Sequence, residues 1–110
     1  MTKLTDTLLA EHAKANAPAL ADADIHALLH AVRGWKSDDG AIARNFKFAD
    51  FHQTIAFVNA VAFIANREDH HPDLDVGYDH CTVTWSTHSA GGLTRNDFIC
   101  AARVEALVDA

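Results

Sequence analysis

The sequence predicts an α+β domain, in which an antiparallel sheet of three to four strands carries its helices on one face. Segments with apolar residues at helical spacing alternate along the chain with segments in which every second residue is apolar. Each alternating segment has one apolar and one polar face, which is typical of an antiparallel sheet covered on one side only. The predicted order is helix, strand, helix, strand, strand, helix.

The composition is that of one ordinary globular domain. Its 110 residues are 49% hydrophobic and 22% charged, with a formal net charge of -6. No cluster of Lys and Arg appears, so direct nucleic-acid binding is not expected. Two cysteines without a secretory leader favour reduced thiols in a cytoplasmic protein. The most apolar segment, residues 55–65, is too short to span a membrane.

The N-terminal residues 1–17 form a lead-in that is predicted to be a short or frayed helix. Leu4, Leu8 and Leu9 can share one helical face before the pattern breaks near a proline. We expect little catalytic role for this segment and place the domain itself at residues 18–110.

A second helical pattern covers residues 25–32, where Asp22 or Asp24 can provide the N-cap. Gly34 is the expected stop. Trp35 follows it, and a single tryptophan after a helix is more often a core residue than part of a binding surface.

The first clear strand is predicted at residues 41–48. Ile42, Phe46 and Phe48 point to one side, and Arg44 is the exception on that apolar face. A helix begins next at Asp50, whose carboxylate can cap it.

This helix should be unusually apolar. Gln53 can reach back from the first turn as in a capping box. Residues 51–65 are apolar almost all round, so both sides of the helix need cover. One side can pack on the sheet, and the other could be buried in a subunit interface or against a second helix of the same chain.

Two half-buried strands are predicted at residues 74–78 and 80–87, joined tightly near Asp79 as a hairpin. A glycine-containing loop then leads to Thr94, a good N-cap. The last helix takes its apolar positions from Phe98, Ile99, Ala102, Leu107 and Val108.

The chemistry is concentrated between residues 68 and 88, where His70 and His71 stand directly before Pro72 and His88 follows a strand. Imidazoles exchange protons near neutral pH. Adjacent side chains in the extended conformation favoured before proline diverge. Divergent histidines suit an acid and a base on different sides of a substrate better than ligands that converge on one metal ion.

The same residues could serve different roles. Asp69, His88 and Asp97 could still complete a metal site with the histidine pair through tertiary contacts. His88 could be a strand-end residue that bonds the loop backbone. Asp97 lies three residues after Thr94, so it can be the acidic member of a Thr-x-x-Asp cap, and it can also belong to a site.

One extended pattern resembles the pterin-4a-carbinolamine dehydratases. It consists of Asp69-His70-His71-Pro72-Asp73, then Tyr78, then Ser86-Thr87-His88-x-Ala90-Gly91-Gly92-Leu93-Thr94-x-x-Asp97. The resemblance implies dehydration of 4a-hydroxytetrahydropterin to quinonoid dihydropterin, the step that recycles the cofactor of aromatic amino-acid hydroxylases. It implies no metal and no cofactor, because the pterin is the substrate.

The resemblance also implies the site residues. His70 and His88 would be the acid and base, with His71 positioning the substrate or assisting as a base. The substrate-binding set would be Asp69, His70, His71, Pro72, Ser86, Thr87, His88 and Asp97. The chain departs from the family pattern at Asn66, Leu74 and Asn96.

The resemblance bears on partners as well. It implies a functional link to an aromatic amino-acid hydroxylase. The homo-oligomer, a dimer or tetramer, is instead expected from the apolar helix, whose second side can form a subunit interface. An alternative is a non-catalytic dimerisation or binding module that acts through the apolar helix at residues 50–67.

Overall fold

The computed structural model describes residues 3–109 and confirms the α+β class. The helices are α1 Lys3–Leu9, α2 Asp22–Leu29, α3 Phe51–Glu68 and α4 Arg95–Val108, with a 3-10 turn at His88–Ala90. The strands are β1 Lys36–Asp38, β2 Ala41–Lys47, β3 Asp73–Val76 and β4 His80–Ser86. They form one antiparallel sheet in the order β1-β2-β4-β3. Helices α3 and α4 pack against β4, which lies inside the sheet.

The two long strands alternate as predicted. Ile42 and Phe46 of β2, and Cys81, Val83 and Trp85 of β4, are buried on the covered face. On the open face, by contrast, Asn45 Nδ2 donates to Thr82 Oγ1 at 2.6 Å. The predicted core role of Trp35 is confirmed, because it is 5% exposed and packs edge-on against Phe46.

Arg44, the exception on the apolar face of β2, ties the sheet to the end of α4. Its Nη1 lies 3.0 Å from Glu105 Oε1 and 3.1 Å from Asp109 Oδ2. Its guanidinium also lies over the Phe46 ring, 4.6 Å from the centroid. Its aliphatic stem can therefore share the apolar face while the charge is paired.

Helix α3 begins at the predicted cap. Asp50 Oδ1 accepts from the Gln53 backbone N–H at 2.9 Å. The Gln53 side chain reaches back one residue further than a capping box requires, and its Oε1 accepts from Ala49 N–H at 3.1 Å. The inner face of α3 is buried, whereas Phe51 and Phe63 are 50% and 65% exposed. Within residues 3–109, no second helix covers those two aromatic rings.

Several local predictions were wrong. Asp22 and Asp24 do not cap α2; they lie in its first turn, and its N-cap is Ala21. Leu107 and Val108 are 44% and 40% exposed, because α4 extends past the core at its C-terminus.

Strand β3 is shorter than predicted and less buried. Among Leu74, Val76 and Tyr78, only Leu74 packs against the core, because β3 is an edge strand and Tyr78 lies beyond its end. The tight turn is present, with Gly77 N–H donating to His80 O at 2.9 Å. The short strand β1 was missed, since its three residues are all exposed and carry no alternation.

Helix α1, within the predicted lead-in, is part of the packed structure. It lies against α4, and Leu8 is fully buried in the core. Thr5 is also buried and donates from Oγ1 to Ala31 O at 2.7 Å. Across residues 3–109, no helix combines the length and apolar character needed to cross a membrane.

Candidate active site

His70 is brought to the covered face of the sheet by the end of α3. Asp69, the C-cap, has a left-handed φ of 50°, which ends the helix and redirects the chain. His70 N–H still donates to Ala65 O at 3.2 Å. The imidazole then stacks on Trp85, with ring centroids 5.4 Å apart and planes 14° apart. The ring is therefore held between the helix end and strand β4.

Asp97 is the centre of the site's hydrogen-bond network. Its side chain is fully buried, and Oδ1 lies 2.6 Å from His70 Nε2. Oδ2 accepts from Thr87 Oγ1 at 2.8 Å and from Thr94 N–H at 3.0 Å. The second of these bonds belongs to the capping box of α4. The same carboxylate therefore caps α4 and contacts His70.

The donor and acceptor roles in this network follow from chemistry. Because a carboxylate only accepts hydrogen bonds, His70 Nε2 carries the hydrogen that lies between it and Asp97. The single hydroxyl hydrogen of Thr87 is directed to Asp97, so in the 3.0 Å contact the Thr94 hydroxyl donates to Thr87 Oγ1. Nδ1 of His70 has no hydrogen-bond partner within residues 3–109 and can exchange a proton.

The other two candidate histidines are exposed. His71 Nε2 lies 3.4 Å from Asn66 Oδ1, and His88 Nε2 lies 3.4 Å from Ser86 Oγ. The side chains of His70 and His71 diverge, since the half-buried His70 contacts Asp97 and the exposed His71 lies beside Asn66.

Two neighbouring clefts meet at Thr87. The first, about 340 Å³, is lined by Ser86, Thr87, His88 and the loop glycines. The second, about 350 Å³, is lined by Asp69, His70 and Thr87 among others. These volumes are at the lower end of the range of small-molecule sites. Of the predicted residues, His71, Pro72 and Asp97 line neither cleft, and Asp97 bonds to Thr87, which lines both.

The second cleft has a wall that sequence reasoning missed. Lys14, Ala15, Asn16 and Ala17 line it, although no catalytic role was expected for the lead-in. They belong to residues 10–17, which we call the N-terminal strap. The strap has no apolar periodicity, so its position could not be predicted from its own residues. Asn96, noted as a departure from the family pattern, was the only indication, and it also lines this cleft.

Glu68, the last residue of α3, binds the strap. Its side chain is fully buried, and Oε1 accepts from Ala13 N–H at 2.8 Å, while Oε2 lies 3.0 Å from His12 Nδ1. Burial favours the neutral carboxyl, but the Ala13 and His12 bonds and the charge of Arg103 outweigh it and lower the pKa of Glu68.

The two cysteines are buried and unpaired. Burial, followed by the charges of Glu68 and Asp97, raises the pKa of Cys100 to about 12. Burial also raises the pKa of Cys81. Over the described part of the chain, no three His, Cys, Asp or Glu side chains are grouped closely enough to hold a metal ion.

The chain is similar to known proteins of one family. A family model described as pterin 4 alpha carbinolamine dehydratase matches residues 18–107. A protein of Xanthomonas campestris pv. campestris (strain 8004), provisionally named a pterin-4-alpha-carbinolamine dehydratase, is 55% identical over 92 residues, 82% of this chain and 78% of the relative. A Stenotrophomonas maltophilia (strain K279a) protein with the same provisional name is 52% identical and covers 82% of this chain and 79% of its own.

Solved structures show the same similarity. The crystal structure of a transcriptional coactivator/pterin dehydratase from Brucella melitensis has a TM-score of 0.77 and 35% identity, and covers 81% of this chain and 97% of its own. A pterin dehydratase-like protein identified as a RuBisCO assembly factor in the alpha-carboxysome has a TM-score of 0.58 and 25% identity, and covers 69% and 88%.

Proposed function

Because the chain belongs to the pterin 4 alpha carbinolamine dehydratase family, we propose that it dehydrates 4a-hydroxytetrahydropterin to quinonoid dihydropterin. In this reaction an acid protonates the 4a-hydroxyl, the C4a–O bond breaks, and water leaves. A base removes the N5 proton, and its electron pair forms the C4a=N5 double bond. The observation that carries the proposal is the His70–Asp97 contact at the edge of a cleft.

His70 has the surroundings of a proton-transfer group. Asp97 holds its Nε2–H, which leaves Nδ1 to exchange a proton with the pterin. A buried carboxylate on one ring nitrogen fixes the tautomer and stabilises the imidazolium when the other nitrogen gains a proton. The stacked contact with Trp85 restricts the ring orientation.

His88 is proposed as the partner of His70 in the acid and base roles. The two line neighbouring clefts separated by Thr87, so a pterin lying across that boundary would have an imidazole on each side. Acid and base need only be within hydrogen-bond reach of different atoms of the substrate. His71, exposed and beside Asn66, is proposed to position the substrate or assist as a base.

An absorbance assay on freshly generated 4a-hydroxytetrahydropterin tests this function. We expect His70→Ala and His88→Ala each to lower kcat by about 10²-fold or more, the usual contribution of a positioned acid or base. His71→Ala should have a smaller effect. His52→Ala, an exposed histidine on α3, is the matched control and should match wild type. A wild-type rate no higher than the spontaneous one would overturn the proposal.

A binding role through α3 is the second candidate, favoured by the exposure of Phe51 and Phe63. Among the similar structures, the RuBisCO assembly factor has an assembly role on this fold. We propose that the exposed side of α3, which includes Phe63, joins copies of the chain into a dimer or tetramer. Light scattering should give an oligomer for wild type and a smaller species for Phe63→Glu. A wild-type monomer would contradict self-association.

A further inference from the structure

The N-terminal strap, residues 10–17, forms part of the cleft that contains His70, yet it lies before the region matched by the family model. Four of its residues, 14–17, line that cleft. Asn16 has a left-handed φ of 60°, so the strap turns at the cleft. Asparagine is one of the few residues that adopt this conformation readily.

The strap is fixed by residues that are sequence neighbours of the site. Asn96, directly before Asp97, accepts from Lys14 N–H at 2.9 Å and donates to Lys14 O at 2.7 Å. Glu68, directly before Asp69, accepts from Ala13 N–H. The strap is therefore held against the two chain segments that carry Asp97 and His70.

A third anchor holds the start of the strap. Arg95 donates through Nε and Nη2 to both carboxylate oxygens of Glu11, at 2.8 and 2.7 Å. This paired bond lowers the pKa of Glu11 and raises that of Arg95. Arg103 Nη2 donates to Glu11 O at 2.6 Å. Leu8 is buried and already anchors α1 in the core. The bonds from Arg95 and Arg103 therefore fix the strap, which follows α1, and are not needed to hold α1.

We propose that residues 14–17 of the strap contact the bound pterin, and that Asn96 is the positioning residue that holds them there. The inference rests on the proposed function, because it concerns the same substrate. Ala15 and Ala17 are small and leave backbone groups accessible beside the cleft, and Asn16 adds an amide. Such groups match a pteridine ring, whose edge alternates hydrogen-bond donors and acceptors.

The first test is kinetic. Asn96→Ala removes both bonds to Lys14 and leaves every strap residue in place. Loss of hydrogen bonds of this kind should raise KM by about 3- to 10-fold, with kcat within about twofold because His70 and Asp97 remain intact. Asn45→Ala, which removes a side-chain bond on the open sheet face, is the control. An unchanged KM in Asn96→Ala would overturn the inference.

The second test needs no turnover. Trypsin can cleave after Lys14, inside the strap, and 7,8-dihydrobiopterin at saturating concentration should slow that cleavage at least about fivefold. Cleavage after Lys36, in exposed strand β1, is the internal control and should not change. Equal cleavage after Lys14 with and without the pterin would overturn the inference.

The two tests separate this inference from the proposed function. If wild type has no dehydratase activity but the pterin still protects the strap from trypsin, the strap contact is supported and the proposed reaction is contradicted. If wild type is active, but the pterin gives no protection and Asn96→Ala leaves KM unchanged, the proposed reaction is supported and the strap contact is contradicted.

Discussion

Nε2 of His70 lies 2.6 Å from Oδ1 of Asp97, although the two residues are 27 positions apart. The pair joins the end of α3 to the first turn of α4. Because Asp97 also accepts from Thr94 N–H, the start of α4 and the orientation of His70 depend on one carboxylate. Structural and chemical effects of changes at this point are therefore expected to occur together.

Asp97→Asn should affect both activity and stability. An amide oxygen cannot satisfy all three donors that now point at the carboxylate, and the NH₂ group would face one of them. We expect kcat to fall by about 10²-fold and the free energy of unfolding to fall by about 1–3 kcal/mol. The pterin assay and urea denaturation measure the two effects. Asp109→Asn, at the exposed end of α4, is the control, and equal effects of both substitutions would contradict this role for Asp97.

Thr87→Val tests the hydroxyl that binds Asp97. Valine keeps the shape but leaves Oδ2 with one donor fewer and the Thr94 hydroxyl without its acceptor. We expect a loss of about 1–3 kcal/mol in unfolding free energy and a lower kcat, with Thr87→Ser close to wild type. The matched change Thr82→Val, on the open face of the sheet, should leave kcat unchanged. If Thr87→Val retained wild-type kcat, the Thr87–Asp97 bond would have no part in catalysis.

Glu68 should make stability depend on pH. Its pKa is lower in the folded chain than the ordinary value of 4.5, so its contribution is present above pH 4.5 and is lost as the pH falls towards the folded pKa. Glu68→Gln should therefore lower the free energy of unfolding at pH 7 by about 1–3 kcal/mol and flatten its decline on acidification. Urea titrations at pH 7 and pH 4 measure both. If the free energy of unfolding fell equally with pH in wild type and in Glu68→Gln, this role of Glu68 would be contradicted. Asp24→Asn, on α2, is the control for the loss of one carboxylate.

Neither cysteine should react in the folded chain. With a pKa of about 12, Cys100 has only about one thiolate in ten thousand at pH 8, and both thiols are fully buried. A thiol reagent such as DTNB should label neither in native buffer and two per chain after denaturation. Ser37→Cys, on exposed β1, should add one reactive thiol. Rapid labelling of the native wild type would show that the core opens readily.

The main elements of the fold could be predicted from sequence because each has one buried face, which gives its apolar residues a regular spacing along the chain. The alternation at residues 41–48 and 80–87 corresponds to β2 and β4, and the Asp50 cap and the Thr94 cap both lie where predicted. Strand β1 could not be found, since it is short and its side chains are all exposed. The Asp22 and Asp24 caps failed because side-chain capping depends on the φ and ψ of one residue, which composition does not determine.

The site could be predicted only in part. The divergence of His70 and His71 followed from adjacency before Pro72 and is seen in the structure. The double use of Asp97 could be stated as a possibility, but the contact with His70 is tertiary and has no local pattern. The position of the strap could not be predicted from its own residues. Its bonds at Ala13 and Lys14 use backbone groups, which every sequence has, and the Glu11–Arg95 pair is a tertiary contact without a local pattern.

The strap also constrains the order in which the site can be built during synthesis. Its bonds to Arg95, Asn96 and Arg103 join residues 82 to 92 positions apart. The strap is translated long before α4, so its bonds to these three residues cannot form until α4 has left the ribosome. Contacts of such long sequence separation form late and slowly. The pocket wall should therefore be the last part of the molecule to assemble, so a ribosome-bound nascent chain that lacks α4 would carry an open, unfinished cleft.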